Sequence, residues 1–104
     1  MKEKIEDTLL ELGITPANKG FYTLCTAIEI VVKDGCTQIC KEVYPEVAKR
    51  HYCTFASVER SIRTAISKTN FEKYREIGGS CLKNKDFIMT LALKIRREIN
   101  NEQN

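Results

Sequence analysis

Five side chains in one short stretch carry groups that can read a nucleic acid: Ser57, Arg60, Arg63, Thr64 and Ser67. At 100° per residue they fall together, with Ala56, on the side of a helix opposite Val58, Ile62, Ala65 and Ile66. Two guanidiniums can take guanine edges or phosphate oxygens, and the small residues between them permit close approach. Glu59 lies near the boundary of this stripe. It can accept from a cytosine amine or pair with Arg63 at i,i+4. Lys49, Arg50 and Lys68 flank the stripe and suit the phosphate backbone.

Other chemistry is poorly supplied. The chain has one histidine, His51, and five cysteines at 25, 36, 40, 53 and 81. Zinc could be imagined on Cys36, Cys40, His51 and Cys53, but Cys-x3-Cys is not diagnostic and His51-x-Cys53 is not a familiar ligand pair. An odd cysteine count without a signal peptide argues against a disulfide framework. Free thiols acting as small hydrophobes are the plainer reading. Cys53 two residues from His51 is more easily read as turn and packing than as nucleophile and base. There is no P-loop, no G-x-G-x-x-G and no paired-carboxylate motif. We therefore expect no enzyme, no catalytic residue, no cofactor and no metal.

Charge placement points the same way as the stripe. The formal net charge is only +3, yet eight Lys or Arg face four Glu between Lys41 and Arg75. Positive charge gathers where phosphate attraction would need it, although charge runs are commonly just solvated faces. With 104 residues, one domain spanning 1–104 is expected. No run approaches the roughly 18 apolar residues of a membrane span. The acid-bearing N-terminus from Met1 to Asp7 lacks an apolar signal region, so the location reads as cytoplasmic.

Helical spacing recurs throughout, and strand-like alternation is scarce. The expected class is all-α, about six helices with a helix-turn-helix and no winged helix. A first helix covers about Lys2 to Leu12, with Ile5, Leu9, Leu10 and Leu12 inward and Gly13 as its stop. Thr15-Pro16 signals the start of a second, running to about Lys33, which Gly20 bends or interrupts. A third covers about Thr37 to His51. Pro45 either kinks it or opens a fresh short helix. The turn falls near 51–54, with Thr54 as N-cap for a recognition helix over about 55–69. A short helix then runs to Ile77, stopped by Gly78-Gly79. The last covers about Asp86 to Ile99, burying Phe87, Ile88, Leu91, Ala92 and Ile95, with 100–104 fraying.

Four segments carry a family resemblance. Leu12 to Phe21 looks like a Gly-Val-Pro-Ala-His-Ile-Lys-Gly-Tyr segment. Val43 to Arg50 looks like Leu-Tyr-Pro-Asp-Ile-Ala-Lys-Lys. Val58 to Ile66 looks like Val-Glu-Arg-Ala-Ile-Arg-His-Ala-Ile, and Phe87-Ile88-Met89 is similar to a Glu-Phe-Ile-Ala segment. In this order and spacing the chain resembles the C-terminal DNA-binding effector domain of the master sporulation response regulator of Bacillus and Clostridium-type bacteria. The resemblance implies a six-helix fold and binding to a TGTCGAA-type box, often as a head-to-tail dimer on tandem boxes. It also implies work with RNA polymerase, through its sigma subunit, and base and phosphate contacts from Glu59, Arg60 and Arg63. Ser57 stands where the family commonly has arginine, and Thr64 where it has histidine. The segment before the last helix, Gly79 to Lys85, is shorter than the family's. No phosphoacceptor receiver domain is present, as in an excised fragment or a free-standing effector domain.

Two readings follow. The first is a sequence-specific regulator that binds double-stranded DNA. The second is a degenerate effector domain that binds a protein partner and no longer reads DNA. A steep loss of affinity with salt belongs to the first alone.

Overall fold

A computed structural model describes residues 1–103. Among them are six α-helices and no strand. They are α1 (Lys2–Glu11), α2 (Phe21–Asp34), α3 (Tyr44–Arg50), α4 (Phe55–Ile66), α5 (Phe71–Glu76) and α6 (Asn84–Gln103). A π-helical turn, Ile39–Val43, leads into α3. No helix among the described residues is long and apolar enough to cross a membrane.

Helix α1 buries Ile5, Thr8 and Leu9. It ends as Gly13 takes a left-handed φ of +91°. Ile14 N–H then reaches Leu9 O at 2.9 Å and Gly13 N–H reaches Leu10 O at 3.0 Å. This is a Schellman closure, with Leu9 and Ile14 both buried beneath it. Leu10, expected inward, is exposed instead. Thr8 takes the inward place, its hydroxyl donating to Lys4 O at 2.8 Å, because the buried stripe of residues 5, 8, 9 and 12 leaves position 10 on the flank.

Helix α2 does not begin at Thr15-Pro16. Residues 15–18 form a turn in which Thr15 N–H donates to Asn18 Oδ1 at 2.8 Å and Asn18 N–H to Thr15 O at 2.9 Å. The helix starts only after Gly20, which is left-handed at φ +91°. At its other end Gly35 N–H bonds Val31 O at 2.9 Å. From α6, Arg96 donates to Val31 O at 3.3 Å and Val32 O at 2.9 Å. A cation thus caps the negative end of the most apolar helix. Buried Leu24, Cys25, Ala27, Ile28 and Val31 form its inner face.

Pro45 falls in the first turn of α3, where its missing N–H has no helical partner to lose. The wide π turn before it carries the chain in, with Val43 N–H and Tyr44 N–H bonding five residues back to Gln38 O and Ile39 O. The expected single helix over 37–51 is therefore a π turn followed by a short helix.

Helix α5 buries Tyr74, whose hydroxyl donates to Cys81 O at 2.8 Å and whose ring stacks on Phe87 at 5.0 Å. Helix α6 starts two residues earlier than expected and buries Phe87, Ile88, Leu91, Ala92 and Ile95. It stays helical through Gln103, and Lys4 of α1 pairs with Glu102. Residues 100–103, where fraying was expected, continue α6, and residue 104 lies outside the described residues. Every buried side-chain N or O among the described residues has a partner.

Candidate nucleic-acid interface

Helices α3 and α4 are joined by a break over 51–54. His51 N–H closes α3 on Val47 O at 3.0 Å, and Cys53 N–H folds back to Ala48 O at 3.0 Å. Between them Tyr52 takes a left-handed φ of +53°. Thr54 is extended, and its hydroxyl accepts Ser57 N–H at 3.1 Å. That is the N-cap expected from the sequence; it satisfies one of the first amides of α4. The helix ends at Ile66 rather than near Thr69. Lys68 and Thr69 amides reach only three residues back, at 3.0 Å each, and Asn70 N–H leaves to bond Leu12 O at 2.8 Å. Tethering to the end of α1 stops the helix before its residue pattern does.

Three contacts hold α4 against the rest of the domain. Val58, Ile62, Ala65 and Ile66 are buried as expected. Tyr44 of α3 meets Phe55 edge to face at 5.5 Å. At the crossing with α2, Gly20 lies so close that a Cβ there would fall 1.9 Å from Ser61 O. Ser61 itself is buried. Its hydroxyl lies 3.1 Å from Val58 O and 3.0 Å from the Thr23 hydroxyl.

The expected reading set is presented together. Ser57, Arg60, Arg63, Thr64, Ser67 and Lys68 are exposed on and just beyond α4, Lys49 and Arg50 on the last turn of α3, and Glu59 is half-buried. Of the two roles open to Glu59, the free chain adopts the ion pair with Arg63. Arg50 pairs with Glu46 at 2.9 Å and lies 3.9 Å from Glu29. Exposed pairs of this kind contribute about 0–1 kcal/mol, so phosphate can displace either carboxylate at little loss. Among the described residues Arg60, Lys49 and Lys68 have no ion-pair partner. The Thr64 hydroxyl donates to Arg60 O at 3.0 Å and the Ser67 hydroxyl to Thr64 O. As placed, both offer lone pairs rather than protons outward.

Sequence reasoning missed two supports. Asn84, first residue of α6, donates to the Tyr44 hydroxyl at 3.0 Å and to Glu59 O at 3.2 Å, clamping α6 to α3 and α4. The second is the pair Lys83 and Lys85, which with Lys41, already counted in the charge cluster, line a groove of about 980 Å³ along the Glu59–Arg63 flank of α4. The alternation Lys83-Asn84-Lys85 was visible; its place beside α4 depends on the Asn84 clamp.

Two of the four imagined zinc ligands are separately engaged. His51 Nε2 is 2.7 Å from the Thr26 hydroxyl, and the Cys36 thiol is 3.1 Å from Glu42 Oε2. No three metal-binding side chains converge among the described residues. Burial pushes the Cys25 thiol up to about 12, which leaves it inert as a nucleophile.

Residues 5–95 match the family described as Sporulation initiation factor Spo0A C terminal. The match spans all of α2, α3, α4 and α5 and the inward-facing part of α6. The chain belongs to this family of DNA-binding effector domains of sporulation response regulators.

Proposed function

We propose that the chain is a sequence-specific transcription regulator whose helix α4 enters the major groove of a TGTCGAA-like box. The observation that carries this reading is the exposed stripe of Ser57, Arg60, Arg63, Thr64 and Ser67 on a helix capped at one end and packed along its other face. A rigid helix presenting guanidiniums and small side chains is the geometry that direct readout needs. Arg60 is the foremost base reader, since no carboxylate competes for it among the described residues. Arg63 reads or orients once Glu59 releases it. Glu59 then accepts from a cytosine amine. Lys49, Arg50 and Lys68 hold phosphates, and Ser57, Thr64 and Ser67 contact bases or phosphates. The domain comprises 1–104, acts in the cytoplasm, pairs head to tail on tandem boxes and contacts the sigma subunit of RNA polymerase.

Fluorescence anisotropy with a TGTCGAA duplex and a scrambled duplex, at two salt concentrations, tests this. Tighter, salt-sensitive binding to the box is expected. Arg60→Ala should lose about 1–3 kcal/mol on the box and relax specificity. Unchanged affinities of that variant for both duplexes would refute the role of Arg60. The inward hydrogen bonds of Thr64 and Ser67 favour one second reading, a protein-interaction module that no longer reads DNA. It predicts no salt-dependent affinity for either duplex.

A further inference from the structure

We infer that Tyr52, in the turn between α3 and α4, donates its phenolic hydroxyl to a phosphate oxygen of the bound duplex. The inference rests on the DNA reading of α4.

Tyr52 is the one residue other than glycine with a positive φ among the described residues. A left-handed backbone strains any residue with a Cβ, and a bulky one most. The turn imposes it, through Tyr52 N–H to Lys49 O at 3.4 Å and Cys53 N–H to Ala48 O at 3.0 Å. Glycine or asparagine would serve such a turn with less strain. A tyrosine ring can offset strain by burying itself, but Tyr52 as a whole residue is 96% exposed. Its hydroxyl makes no hydrogen bond among the described residues. The free chain therefore carries a strained backbone under an aromatic side chain that touches almost nothing. Strain that the fold does not use is characteristic of binding surfaces.

Position supplies the ligand. The turn joins the last turn of α3, which exposes Lys49 and Arg50, to the first turn of α4, which exposes Ser57. When a helix-turn-helix docks, its first helix crosses the DNA backbone and the start of its second reaches base edges. The turn between them lies over sugar and phosphate. A phenol there sets a neutral donor against an anionic acceptor, a charge-assisted hydrogen bond. Because it carries no charge, it releases no counterion, which separates it from Lys49 and Arg50.

Two variants test the assignment in the same two-duplex, two-salt experiment. Tyr52→Phe keeps the ring and the strain and removes the hydroxyl. Tyr52→Asn keeps the left-handed turn and relaxes it. Each should lose roughly 10- to 100-fold in affinity for box and scrambled duplex alike, with the salt slope unchanged. Tyr52→Asn should also melt at a higher temperature than the native chain. Native affinity in both variants overturns the inference. A loss confined to the box makes Tyr52 a base reader and overturns the phosphate contact. A reduced salt slope means that Tyr52 acts by placing Lys49 or Arg50, which overturns it as well. If Arg60→Ala loses box binding while Tyr52→Phe does not, only this inference falls; if the native chain binds neither duplex, the DNA reading falls and takes this inference with it.

Discussion

Replacing Gly20 by alanine brings two separate strains to one position. At φ +91° the backbone is left-handed, which costs an L residue about 1–2 kcal/mol. The added Cβ would also lie 1.9 Å from Ser61 O and 2.4 Å from Ser61 C, both backbone atoms of α4 that no rotamer change can move. Ordinary contact begins near 3.4 Å, so α2 and α4 must separate. Overpacking of this kind typically costs about 1–3 kcal/mol, and a backbone obstacle belongs at the upper end. The sum is about 3–5 kcal/mol. Gly78 isolates the first part. Its φ is +101°, and nothing lies within 4 Å of an added Cβ. Gly78→Ala should therefore cost only about 1–2 kcal/mol. For a domain of this size the unfolding entropy is roughly 0.2 kcal/mol/K, so each kcal/mol lowers Tm by about 5 °C. Thermal unfolding followed by far-ultraviolet circular dichroism should show Gly78→Ala about 5–10 °C below the native chain and Gly20→Ala about 15–25 °C below it. A Gly20 variant that melts no lower than the Gly78 variant would mean that the tight crossing of α2 and α4 is not real. The displacement bears on the proposed function too, because Ser61 lies on α4, the helix proposed to read DNA.

Thr54→Ala removes the acceptor for Ser57 N–H. It should destabilise the domain by about 1 kcal/mol, read as a shift of the urea midpoint at unchanged slope. Asn84→Ala should cost about 1–2 kcal/mol by leaving the Tyr44 hydroxyl and Glu59 O without their donor. Asn84→Asp can accept from the Tyr44 hydroxyl but cannot donate to Glu59 O, so it should recover only part of the loss; full recovery by aspartate in the same melt would disprove the donation to Glu59 O. Burial raises the folded pKa of Cys25 from 9.0 to about 12. Folding then favours the neutral thiol, so its contribution is complete below about pH 9 and is lost as pH rises toward 12. Urea midpoints should fall across that window, and Cys25→Ala should flatten the fall, leaving what Tyr44 and Tyr74 add above pH 10 through their own burial-raised pKa values.

Much of the fold was legible in short-range pattern. The apolar spacing of α4, the Thr54 cap, the break near 51–54 and the glycine stop after α1 are local matters, each decided within a few residues by sterics and hydrogen bonding. The outward stripe was legible for the same reason, since helical period alone separates Arg60 and Arg63 from Ile62 and Ile66. The start of α2 was misread because Thr15-Pro16 is a sound local signal. What overrode it is a crossing between Gly20 and Ser61, 41 residues apart in sequence, where only a residue without a Cβ lets α4 pass. Leu10 was misread because apolar character does not say which side of α1 the core will occupy.

Composition and periodicity by themselves determined an all-α chain, the position of its turn and the face of α4 that carries the arginines, because these depend on bonds spanning four residues or fewer. Tertiary structure alone decided how that face is held and charged. It set Gly20 against Ser61, Asn84 across Tyr44 and Glu59, Arg63 onto Glu59 and the lysines of 83 and 85 beside α4. It also left Tyr52 strained and bare in the turn. Such relations depend on which distant surfaces exclude water together, and no local pattern carries that information.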